Sequence, residues 1–324
     1  MTLDHKLRLT ACGGRMAAGG GVRGDLCGDC FLVDNRGRNC EGVWVTVYIG
    51  GFSGGIDSQA AALFMRHRYG EDNVVLCNST AGDNEHPLTV EHVEWYCQNI
   101  HYVHQTNARV QDLGGSAAGK ISELGLSREV PLTFDLLAKL KGRFPSRRMQ
   151  FCTEYLKLRP ARRFMQEHYG NVHVIRFSGI RRGESEARKN TPFECDDDFF
   201  GCRVMHPIAD WTKEMCFDYV KHHGEQYNLL YTLGFSRVGC APCINSGKAD
   251  ILAWAQRFPE MIDKVRRWEE SVGRTFFAPC VPGMEMNFID DVVRWAKTKH
   301  GGKQYDLFVL QERPACESVY GLCE

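Results

Sequence analysis

The string FSGGIDS at residues 52–58 limits what this chain can fold into more than any other stretch of it. It follows a hydrophobic run, VWVTVYIGG from Val43, and it opens an amphipathic segment, IDSQAAALF from Ile56. A strand that turns directly into a helix leaves the first helical amides without intrahelical partners. Gly54 and Gly55 let the backbone approach an anion closely, Ser53 and Ser58 offer hydroxyls, and the positive end of the helix dipole faces the same point. Asp57 suits a counter-ion such as Mg2+ shared with the phosphates. The spacing differs from the Walker pattern G-x-x-x-x-G-K-[ST] and from the dinucleotide pattern G-x-G-x-x-G.

Around this turn, short β-branched runs alternate with helical stretches, which is the signature of βαβ units. Strands are expected at 43–49, 73–79, 101–105 and 172–178, and helices at 57–69, 88–99, 133–142 and 153–168. Beyond Arg188 the segment ECDDDFFGC at 194–202 reads as an acidic loop with Asp196, Asp197 and Asp198 in solvent. Helices follow at 211–223, 247–258, 259–272 and 286–299. The fold class is α/β, a doubly wound and mostly parallel sheet with a helical, Cys-containing C-terminal part. Three segments are expected: a Gly/Cys-rich leader at 1–42, a nucleotide-type domain at 43–245 and a helical extension at 246–324.

Lys and Arg number 40 and so do Asp and Glu, so no global field draws the chain to nucleic acid or membrane. Apolar runs stay well short of the roughly 20 residues that a spanning helix needs. The first residues lack the apolar core of a secretion signal, which gives a cytoplasmic expectation. In a reducing compartment the 15 cysteines read as metal ligands, redox groups or buried packing rather than as a disulfide framework. Cys240 and Cys243 have the C-x-x-C spacing that lets two sulfurs meet one metal. The leader's Cys12, Cys27, Cys30 and Cys40 form a candidate zinc set, and Cys316 and Cys323 stand near the end of the chain.

Positive charge is concentrated locally. Residues 139–163 hold nine Lys or Arg against one acid, Glu154. Lys157, Arg181 and Arg148 are candidates to hold a phosphate or sulfate, with a nucleic-acid backbone as a permitted partner. Lys157 follows Cys152 by five residues on one helix, so its ammonium and that thiol can reach one site. Arg182 neighbours Arg181 after an expected strand end, where open α/β sheets bind ligands. Glu184 is a candidate to orient Arg181 or a ribose hydroxyl.

Several strings fall in an ordered series: SGGIDS, NEHPLT at 84–89, RRMQFCTEYLKLRP at 147–160, GIRRGES at 179–185 and LGFSRVGCAPC at 233–243. In this order the chain resembles the PP-loop superfamily, and within it the phosphoadenosine phosphosulfate (PAPS) reductase-like family in its cluster-bearing branch. The resemblance implies an adenine nucleotide alpha-hydrolase-like fold that binds ATP or PAPS with Mg2+ for adenylation or sulfur-transfer chemistry. It places Ser53, Gly54, Gly55, Asp57, Ser58, Glu85, His86, Arg148 and Arg182 at the nucleotide, and Asp57, Lys157 and Arg181 at the reacting groups. It also implies a [4Fe-4S] cluster, or zinc, on Cys152, Cys240 and Cys243, with Cys280 as fourth ligand and Cys195 or Cys202 as rivals. A reductase that releases sulfite would use a tail thiol and a thiol reductant or sulfur donor. Cys323 is the loose analogue, because the family's E-C-G-x-H tail is missing. A non-catalytic nucleotide or redox sensor, or a nucleic-acid-binding accessory protein, is the reading from a different class.

Overall fold

The computed structural model describes residues 46–80, 82–99, 103–281 and 283–298. The leader cysteines, Cys316 and Cys323 lie outside these residues. Six strands form one sheet: β1 (Thr46–Gly51), β2 (Val74–Ser79), β3 (Val103–Thr106), β4 (His173–Phe177), β5 (Glu194–Asp197) and β6 (Cys202–Met205). Their order is β3-β2-β1-β4-β6-β5, parallel throughout except for the β5–β6 pair. The chain builds outward from β1 to β2 and β3, then returns to place β4 on the other side of β1. The carboxyl ends of β1 and β4 therefore flank the point where the winding reverses, which is where doubly wound sheets hold ligands.

The helices are α1 (Ile56–Tyr69), α2 (Pro87–Asn99), α3 (Ala118–Glu123), α4 (Phe134–Lys141), α5 (Arg159–Tyr169), α6 (Lys213–His222), α7 (Leu229–Thr232), α8 (Lys248–Arg257), α9 (Pro259–Val272) and α10 (Ile289–Ala296). Pro259 sits in the first turn of α9, where its missing N–H leaves no hydrogen bond unmade. The expected helix at 153–168 is wound in two ways. A π-helical turn, Thr153–Leu158, precedes α5, and Arg159 N–H donates to Glu154 O, five residues back. Such turns cluster at functional sites.

Between β1 and β4 the packing is tight. A Cβ on Gly50 would stand 2.2 Å from the Phe177 ring, so only glycine fits there. The segment 194–202, read from sequence as a loop, is the β5–β6 hairpin. Asp197 is drawn into it by an ion pair with Arg176, and Arg176 in turn stacks 3.5 Å from the centre of the Phe200 ring. Asp197 alone of the three carboxylates therefore leaves solvent, where a buried guanidinium meets it, while Asp196 and Asp198 stay exposed. The residues on either side of position 245 share one core, which extends from Ala108 through Leu137, Leu156 and Trp254 to Ala296. No described helix is long and apolar enough to cross a membrane.

Candidate functional site

The phosphate loop closes on itself. Ser53 and Ser58 hydroxyls lie 3.0 Å apart, Ser53 N–H donates to Ser58 Oγ at 3.2 Å, and Gly55 N–H donates to Ser53 Oγ at 3.3 Å. Gly54 has φ +79°, which favours glycine, and a Cβ there would stand 3.1 Å from Val93 and 3.3 Å from Thr89 of α2. At the helix start, Ile56 N–H donates to the Tyr231 hydroxyl at 3.0 Å. Tyr231 therefore caps an amide that the sequence alone leaves bare.

The turn after β4 lies directly on this loop. Arg181 Nε stands 2.7 Å from Asp57 Oδ2, and both side chains are buried. Burial opposes the Arg181 charge, but Asp57 outweighs it and holds the arginine above its ordinary value. The other Asp57 oxygen, Oδ1, is sealed from solvent with no hydrogen-bond partner among the described residues. Gly179 makes the contact sterically allowed, because a Cβ there would stand 2.6 Å from Asp57 O and 2.9 Å from Ser58 N.

Arg181 has an extended backbone, with φ −115° and ψ 133°, so its successor faces the opposite way. Arg182 pairs with Asp210, donates to Thr191 O at 2.7 Å and covers the Phe193 ring. It braces the turn and does not reach the loop. Glu184 pairs with the fully buried Arg188 and adds its charge at Arg181.

A second cluster forms where three of the sequence strings meet. The 84–86 segment pairs with the C-x-x-C loop: Ala241 N–H donates to Asn84 O at 3.1 Å, and Glu85 bridges Cys240 in antiparallel fashion. Cys152 and Lys157 stand at either end of a five-residue step through the π-turn, which carries both toward that loop. Burial pushes the Cys152 thiol up to about 12; Cys240 and Cys243 add to this and Lys157 opposes it. Burial raises the Cys240 thiol as well, and Lys157 opposes it. For Lys157, burial works against the charge, but Cys240, Glu85, Cys152 and Cys243 outweigh it and hold the ammonium above its ordinary value. Asn245 N–H lies 3.5 Å from Cys243 Sγ.

Among the described residues, no group of three or more His, Cys, Asp or Glu side chains stands ready to hold a metal ion. The three thiols are close enough to feel one another's charge without being drawn together into a cage. Cys280 is not among their neighbours; its N–H donates to Asn287 Oδ1 at 2.8 Å in a separate loop. Cys195 and Cys202 lie on the β5–β6 hairpin.

His86 packs against Trp254 and Phe258 beside the thiols, not on the phosphate loop. Arg148 is exposed in the 146–149 turn. The basic stretch is largely spent within the protein. Arg163 pairs with Asp112 at 2.6 Å, Arg159 with Glu154 at 2.7 Å and Lys139 with Asp135 at 2.6 Å, while Lys141 covers the Tyr155 ring.

Reading the sequence missed His92, which stands beside the Phe52 ring and close to Gly54. Its Nε2 is buried without a partner, and burial lowers its pKa from 6.5 to about 4. The unfolded chain protonates this group near 6.5 and the folded chain near 4. The unfolded state thus binds more protons between those values, and stability is lost as pH falls through that window. His92 should account for about 2 kcal/mol of the loss between pH 7 and pH 5. Urea unfolding at both pH values checks this, because His92→Leu should flatten that limb.

Comparison with known proteins places these features. Residues 133–246 match the family model of the phosphoadenosine phosphosulfate reductase domain. That stretch is similar to a PAPS reductase domain. That segment holds Cys152, Lys157, Arg181, Cys240 and Cys243, and the phosphate loop lies before it. An uncharacterized 37.8 kDa protein from the gpa 5′ region of Escherichia phage 186 is 37% identical over 214 residues, which cover 58% of this chain and 64% of that protein. An adenosine 5′-phosphosulfate reductase of Streptomyces coelicolor is 47% identical over 66 residues, 20% of this chain and 28% of that enzyme. The chain thus spans less than two thirds of either relative. A PAPS reductase from Candida auris, solved as a phosphate complex, aligns with a TM-score of 0.40 and 18% identity over 60% of this chain and 82% of that one.

Proposed function

We propose that this chain is an adenine-nucleotide-dependent enzyme of sulfur metabolism, running sulfur-transfer or adenylation chemistry between the 52–58 loop and the Cys152, Cys240 and Cys243 thiols. The observation that carries the reading is the Arg181–Asp57 ion pair. It ties the turn after β4 to the phosphate loop at the one place where a doubly wound sheet opens to a ligand. In this reading Ser53, Gly54, Gly55 and Ser58 cradle the phosphates. Asp57 presents its unpartnered oxygen to the Mg2+ that accompanies them. Arg181 neutralises charge on the transferring group, and Lys157 holds positive charge between that group and the thiols.

Three sulfur donors beside a buried ammonium have the donor chemistry of an iron–sulfur cluster or a zinc site, and would have to draw together to hold one. Cys152, Cys240 and Cys243 would hold the group, with the fourth ligand supplied from elsewhere. Bound there, a cluster would supply redox capacity and negative charge beside the nucleotide. The protein's own part is to hold the nucleotide, exclude water and keep Lys157 charged. With ATP, an acceptor oxygen would attack the α-phosphorus, pyrophosphate would leave, and a sulfur nucleophile would then displace AMP.

A second reading is favoured by the relatives named as adenosine 5′-phosphosulfate reductases. In it a thiolate such as Cys323 attacks the sulfonate sulfur, the nucleotide leaves, and a thiol reductant releases sulfite. Calorimetric titration with ATP, PAPS and adenosine 5′-phosphosulfate in the presence of Mg2+ tests the shared core of both. Saturable binding is expected, with Asp57→Asn weakening it at least about 10-fold. Unchanged affinity in Asp57→Asn would remove the phosphate loop from the reading. Pyrophosphate release from ATP marks the first chemistry, and sulfite release marks the second.

A further inference from the structure

The loop between α7 and α8 runs from the phosphate loop to the thiols. At one end Tyr231 receives the Ile56 N–H, in the middle the Ser236 carbonyl receives Lys213 Nζ, and at the other end stands Cys240. Arg237 lies on this path, and its charge is felt at the Cys240 thiol. Two of its guanidinium nitrogens, Nε and Nη2, are sealed from solvent and meet no acceptor among the described residues. Asp250, which meets the same loop, accepts from the Ser236 hydroxyl instead.

A sealed guanidinium without acceptors is costly, and burial of this kind is retained where an anion arrives to meet it. Nε and Nη2 form one edge of the planar fork, which suits two oxygens of one tetrahedral oxyanion. The same edge serves a sulfonate and a terminal phosphate equally well. Arg181 has its Nε on Asp57, so an open edge of the kind that Arg237 offers is not duplicated there, whatever charge Arg181 adds from beside the group.

We propose that Arg237 is a specificity-determining residue whose Nε and Nη2 grip two oxygens of the oxyanion beyond the α-phosphate of the bound nucleotide, holding that group between the phosphate loop and Cys240. This rests on the nucleotide reading above. It adds that the chain selects nucleotides by what extends past the α-phosphate, and that AMP lacks the selected group.

The test uses the full chain and three probes: AMP, ATP and adenosine 5′-phosphosulfate, each titrated into wild type, Arg237→Met and Arg237→Lys. Arg237→Met should weaken adenosine 5′-phosphosulfate or ATP, whichever wild type prefers, by about 30-fold and leave AMP within about threefold. The preferred probe also separates a sulfonate from a phosphate as the bound group. Arg237→Lys should recover part of the loss, because it keeps the charge without the fork. Removing an uncompensated buried charge should also leave the ligand-free melting temperature unchanged or higher by about 3 °C.

The proposal is overturned if all three probes weaken by the same factor, or if the preference over AMP survives in Arg237→Met. It is equally overturned if the ligand-free melting temperature drops by several degrees, which would mean the guanidinium is paired within the protein. Wild-type protein that binds none of the probes would bring down the nucleotide reading and this proposal together. Wild-type binding with an unchanged preference in Arg237→Met would bring down this proposal alone.

Discussion

Lys157→Met is expected to lower stability by about 3 kcal/mol and turnover by at least about 100-fold. The ammonium is buried, and its charge is sustained by Cys240, Glu85, Cys152 and Cys243 together. Removing it leaves the part-buried Glu85 carboxylate without its counter-charge, the situation in which breaking a buried pair is damaging. On the proposed reading it also removes a fixed positive group from the place where negative charge builds during transfer, and such groups are worth about two to three orders of magnitude in rate. Urea unfolding and steady-state release of pyrophosphate or sulfite measure the two effects separately. Adding Glu85→Gln should restore part of the stability and none of the turnover. Turnover within tenfold of wild type in Lys157→Met would take this residue out of the chemistry.

Gly179→Ala is the second large effect. The added methyl would stand 2.6 Å from Asp57 O and 2.7 Å from its carbonyl carbon, backbone against backbone, with no flexible side chain to give way. The turn after β4 must lift off the start of α1, and the Arg181–Asp57 contact lifts with it. Overpacking of this kind costs about 1–3 kcal/mol, which for a chain of this size corresponds to a fall of roughly 2–4 °C in melting temperature. Nucleotide affinity should fall at least about tenfold as the loop loses its brace. Calorimetry on the same preparation reads both. A variant that melts lower yet binds nucleotide normally would show that the turn supports the fold without shaping the site.

Much of the site was legible because its parts are local. The glycines and serines of 52–58 act through backbone geometry within a few residues, and the C-x-x-C loop does the same. What stayed hidden depends on partners far along the chain. Asp197 looked solvated because its partner, Arg176, lies 21 positions away on another strand. Tyr231 reaches Ile56 across 175 positions, and no pattern around either residue announces it. Arg181 and Arg182 were both expected at the ligand, one at the reacting groups and one at the nucleotide, but an extended backbone sends the first to Asp57 and the second to Asp210. Arg237 stood inside a recognised string, yet its lack of an acceptor for Nε and Nη2 among the described residues shows only in the folded protein. The Cys152 and Lys157 pairing was visible from spacing, while the π-turn that aligns them was not.

The reversal of winding between β1 and β4 also governs when the protein becomes competent. The glycine-rich turn is made early in synthesis, but the arginine that secures it belongs to a segment more than a hundred residues later, and the phenol on its leading amide comes later still. A nascent or proteolytically shortened polypeptide ending before that point holds the cradle without its clasp. On the proposed reading, ligand capture therefore needs the polypeptide through Tyr231, however early its glycine-rich turn is made.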